Sequence, residues 1–118
     1  MENSEIETKL IEARLEFLKE ISRIQSQLYT PGIESRFQDE QEKRKFKLFR
    51  LQWSMYVQRV EIDILSVLVD KLEENESAFK SGIEAINGEV QNINNTVGFL
   101  NLLERGLKIL ERIIDLTI

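Results

Sequence analysis

The sequence predicts an all-α fold, an elongated antiparallel bundle of three long helices packed in the manner of a coiled coil. Phe79, Ile83, Ile86, Val90, Ile93, Val97 and Leu100 follow one another at alternating steps of four and three, which lines one seam of a helix with apolar side chains. Two earlier stretches carry the same helical period. The chain also holds one Pro and 5 Gly in 118 residues, so few breakers interrupt it. That length makes one domain, residues 1–118, with helices over about 4–29, 35–74 and 77–117.

Helix one is expected to start at Ser4, a good N-cap followed by the acidic Glu5 and Glu7. Its apolar row is Ile6, Leu10, Ala13, Phe17, Ile21, Ile24 and Leu28. Thr30-Pro31-Gly32 stops it, because Pro31 disfavours helical geometry at Thr30 and Pro-Gly is turn chemistry.

Helix two carries two stripes. Phe46, Phe49, Trp53, Tyr56, Val60, Ile64 and Val67 form the first; Leu48, Leu51, Met55, Ile62, Leu65, Val69 and Leu72 form the second. A helix apolar over so wide an arc is expected to be buried on two sides, as the central helix. Residues 62–69 are rich in β-branched side chains, yet no second strand-like segment exists to pair with them, so a strand is rejected.

Residues 71–77 form the next turn, and Asn75 or Ser77 caps helix three. Its weak point is residues 87–96, which hold four Asn and Gly88. A break there gives a fourth helix. The continuous helix is preferred because the heptad phase passes through Val90, Ile93 and Val97 without a slip. After Leu100 the stripe shifts one position and continues as Leu103, Leu107, Leu110, Ile114 and Thr117. Gly98 and Gly106 lie beside the seam, where they admit an aromatic ring from helix two such as Phe49 or Trp53.

Composition excludes much chemistry. Cys and His are both absent, so there is no disulfide, thiolate nucleophile, Cys/His zinc site or His-dependent triad. Net charge is −5, from 16 basic and 21 acidic side chains, which weighs against nucleic acid as a partner. The polar N-terminus does not resemble a signal peptide, and no apolar run approaches the ~20 residues of a membrane span. A cytoplasmic protein without a cofactor is expected, with no membrane contact.

Helix one is about 26 residues, roughly 39 Å, whereas helices two and three reach about 40 residues and roughly 60 Å. A three-helix meander therefore leaves the far end of the long hairpin uncovered. That end holds Val60, Ile62, Leu65, Leu68, Val69 and Leu72, and uncovered apolar surface marks an association site. A second copy is expected to cover it, giving a homodimer. If instead helix three bends back at residues 87–96, it covers this end itself and a compact four-helix bundle results.

Lys43, Arg44, Lys45, Lys47 and Arg50 form a basic cluster. One reading is a docking patch of Lys43, Arg44, Lys47 and Arg50 for an anionic partner, as in a small subunit of a nucleoprotein or membrane-peripheral complex. The blander reading is a solvated face paired with Glu12, Glu16 and Glu20 of helix one. The pairs Asp39/Glu42, Glu61/Asp63 and Asp70/Glu73 are the remaining candidates for metal chemistry, but most of these acids fall between the apolar stripes. The expectation is a non-enzymatic interaction or adaptor protein that self-associates and binds a protein partner.

Overall fold

A computed structural model of the chain describes residues 2–115, with side-chain surroundings from residue 5 onward. Among these residues the regular structure is helical: α1 (Glu2–Leu28), α2 (Glu40–Ile62), α3 (Val69–Glu74), α4 (Glu76–Val90) and α5 (Thr96–Ile113). Short 3₁₀ turns lie at Ile33–Arg36 and Ile64–Ser66. The all-α class holds; the three long helices do not.

Helix α1 is already helical at Glu2, so Ser4 lies within it and is not its cap. Phe17, Ile21, Ile24 and Leu28 bury its inner face. The turn after it runs through Gly32 at φ 84, a left-handed conformation that glycine adopts without strain. Asp39 then caps α2, its carboxylate accepting from the backbone N–H of Gln41 at 2.8 Å and of Glu42 at 3.1 Å.

Two breaks separate the expected long helices. The first follows Ile62, where Asp63 accepts from the N–H of Leu65 at 3.1 Å and stabilises a 3₁₀ turn in place of further α-helix. The second falls after Val90. There Asn95 caps a new helix by accepting from Gly98 N at 2.9 Å. Ile93 stays buried across this break, but Val97 turns outward, so the unslipped heptad phase misled. The expected end of the stripe at Thr117 lies outside the described residues.

The second break sends α5 back along α2. The two start together, where Phe99 lies 6.4 Å from Phe46 between ring centroids, and they end together. Among the described residues a single antiparallel bridge pairs Val67 with Ile114, with Leu68 N donating to Ile113 O and Asp115 N to Ser66 O, both at 2.7 Å. So the β-branched stretch forms no strand, yet one residue of it does pair. Helix α4 lies beside α1, with the Phe17 and Phe79 rings 5.1 Å apart. The contacts run α1–α2, α2–α5, α5–α4 and α4–α1, a four-helix square whose extents are 56 × 28 × 22 Å.

Trp53 sits at the centre, 1% exposed. Its Nε1 donates to Ile21 O at 2.8 Å, and its ring lies against Gly106 of α5. A methyl group at Gly106 would stand 3.0 Å from Trp53 Cζ3, so the expected role of this glycine is met. Gly98 admits no ring; its neighbour is the capping Asn95.

Candidate functional site

The bent-back α5 covers part of the end at residues 60–72 from within the chain. Val60 is fully buried, as is Val67. Val69 and Leu72 are half-buried, lining a groove between α1 and α4. Ile62, Leu65 and Leu68 remain outside, at 77%, 67% and 39% exposure. The six expected interface residues therefore do not form one surface.

What stays uncovered is the second stripe of α2. Leu48, Leu51 and Met55 are 51%, 54% and 57% exposed, and Ile62 continues their line. Phe46, Trp53, Val57 and Val60 occupy the opposite face and are buried. The α-helical period places these two rows about half a turn apart. So α2 is buried on one side, not two, and carries a row of large apolar side chains into solvent. The sequence holds both rows plainly. It does not say which row is covered, because that depends on where α5 goes.

The basic segment is not one patch. Arg50 is pinned: its guanidinium donates to Glu34 and to Leu28 O, and it lies over the Tyr29 and Phe46 rings at 4.5 and 5.1 Å from their centroids. Lys47 approaches Glu34 at 3.8 Å and Lys43 approaches Glu40 at 3.8 Å. Arg44 and Lys45 project to solvent. The cluster is thus partly paired, as a charge run usually is, but with Glu34 and Glu40 rather than the Glu12, Glu16 and Glu20 expected from helix one. The Arg50 guanidinium, and less strongly the charges of Lys47 and Lys43, hold the Glu34 carboxyl below its usual value.

Three of the carboxylates weighed for metal chemistry have local structural tasks. Asp39 and Asp63 cap turns, and Glu42 accepts from the Thr96 hydroxyl at the start of α5. Among the described residues no three Asp or Glu side chains gather in metal-binding reach, and no helix is long and apolar enough to cross a membrane.

The surface also carries concavities. A polar cleft of about 850 Å³ lies where the α1–α2 and α4–α5 turns meet, lined by Gln27, Gly32, Arg36, Val90 and Gln91 among others. The more apolar groove, about 510 Å³, lies between α1 and α4 above α3. Comparison with protein-family models, curated proteins and solved structures finds no match to this chain.

Proposed function

We propose that this chain is a non-enzymatic interaction protein that self-associates through the outer face of α2. The carrying observation is the solvent-facing row Leu48, Leu51, Met55 and Ile62, extended by Leu65. Such a row on a helix whose other side is fully packed fits a partner helix.

Charge supports a second copy, antiparallel, as the occupant. The first half of α2 carries Lys43, Arg44, Lys45, Lys47 and Arg50 against Glu40 and Glu42, whereas Arg59, Glu61 and Asp63 stand at its end and leave it slightly acidic. A two-fold axis at Met55 sets Leu48 of one copy against Ile62 of the other and brings the basic first half of each helix beside the end of its partner. A parallel pairing sets the basic halves against each other, which electrostatics disfavours. The alternative docking reading, through Lys43, Arg44, Lys47 and Arg50 onto an anionic assembly, loses Arg50, whose guanidinium is bound to Glu34 and Leu28 O within the chain.

The test is solution mass by light scattering over a range of concentrations. The unaltered chain is expected to be a dimer, and the Leu51→Asp/Met55→Asp variant a monomer of unchanged helicity. Because the chain has no Cys, Met55→Cys is expected to crosslink to itself on oxidation while Leu48→Cys does not. A monomeric unaltered chain, or a variant of undiminished mass, overturns the proposal.

A further inference from the structure

The groove between α1 and α4 has a different character from the α2 row. Leu10, Ala13 and Phe17 of α1, Leu72 of α3, and Phe79 and Ile83 of α4 form its floor. In a closed bundle these positions would interlock; here Leu10, Ala13 and Leu72 stay partly open to solvent. Ile6, one turn before Leu10 on the same row, is 56% exposed and continues the floor beyond the groove. The apolar row of α1 thus runs from deep burial at Ile21 to open surface at Ile6.

The rim is acidic. Glu16, Glu20, Glu73, Glu76 and Glu84 stand around it, against Lys9, Arg23 and Lys80. Arg23 is held by Glu20 at 2.7 Å and Lys80 by Glu76 at 2.9 Å, so two of the three cations are neutralised locally. Glu16, Glu73 and Glu84 remain, with Lys9 as the free cation among the rim residues. Low-lying apolar surface flanked by unspent carboxylates selects a ligand with an apolar ridge and basic shoulders.

We infer that this groove receives an amphipathic helix from a protein partner, with Leu- or Met-like residues at i, i+3/4 and i+7 and Lys or Arg on both flanks. The floor extends along α1 from Lys9 to Arg23, about 21 Å at 1.5 Å per residue, which accommodates about 14 residues of helix. Two neighbouring helices offer a furrow that a third helix fills by ridge-in-groove packing. No residue of the groove lies on α2, so docking here and pairing through α2 stand or fall separately.

The experiment uses a fluorescein-labelled, 15-residue synthetic helix with a Leu ridge and Lys shoulders, and a second peptide identical but for Glu shoulders, read by fluorescence anisotropy with the full chain. The Lys-shouldered helix is expected to bind, the Glu-shouldered one at least tenfold more weakly. Binding should weaken as salt rises. Reversing the exposed Glu73→Lys and Glu84→Lys should cost at least tenfold in affinity, and Ala13→Trp, which fills the floor, should abolish binding with helicity unchanged. Equal binding of both peptides, no binding of either, or indifference to the charge reversal overturns the inference. So does dissociation of a dimer by the peptide, which would identify a second copy as the natural occupant.

Discussion

Gly106 and Gly88 show how one residue type takes opposite values at two places. Alanine at Gly106 presses a methyl group to 3.0 Å from Trp53 Cζ3 and 3.4 Å from Ile86 Cδ1, and the ring cannot retreat while its Nε1 is bonded to Ile21 O. Overpacking costs about 1–3 kcal/mol, against a helix-propensity gain of about 1 kcal/mol. Gly106→Ala is therefore expected to lower stability, whereas Gly88→Ala, which meets no neighbour, raises it by about 0.5–1 kcal/mol. Urea midpoints of the two variants give the signs. At Glu34 the effect is one of pH. Its carboxyl titrates below the usual 4.5 in the folded chain because Arg50 donates to it. The stabilisation from this pair is then present above that ordinary value and is lost as pH falls through the lowered one. The unaltered chain should be more stable than Glu34→Gln at neutral pH, with the gap in urea midpoint closing in acid. A gap that persists at the lowest pH would exclude the ion pair as its cause.

At the level of elements, the interruptions decide the architecture. Asn95→Ala removes the side-chain acceptor for Gly98 N and should cost about 1 kcal/mol, measured by thermal or urea unfolding. The apolar rows were legible in the sequence: Phe17 to Leu28, Phe46 to Val60 and Phe79 to Val90 all supply the core at the expected spacing. The ends of the helices were not. Asp63 and Asn95 look like ordinary polar residues in a helical pattern until their side chains are seen bonding to the backbone two and three residues on. An Asx residue in that role competes with the helix locally, and periodicity averages over such single-residue events. The same blindness hid the exposed apolar surfaces. Both stripes of α2 are made of large apolar residues, Phe46, Trp53, Val57 and Val60 in one and Leu48, Leu51, Met55 and Ile62 in the other, and either could be packed; the path of α5 decides which is buried. The groove was hidden for another reason: Leu10, Leu72 and Ile83 come from three different helices, and their proximity is tertiary.

Across the whole molecule, the square of helices is built from two antiparallel hairpins, α1–α2 and α4–α5, set side by side so that α1 runs with α4 and α2 with α5. The hairpins are joined by the 3₁₀ turn at Ile64–Ser66 and the short α3. Within each hairpin the partners are close in sequence, so little chain entropy opposes their meeting. The tie between Val67 and Ile114 is of another kind, since it closes a long stretch of chain. The architecture thereby divides into two local hairpins and one distant contact between them, in which Trp53 of the first lies against Gly106 of the second. The same division makes the connection at residues 63–75 the seam along which two copies could trade hairpins: each α4–α5 unit would find in a neighbouring chain the same Trp53 face, the same Phe46 and the same backbone edge at Val67 that it leaves in its own.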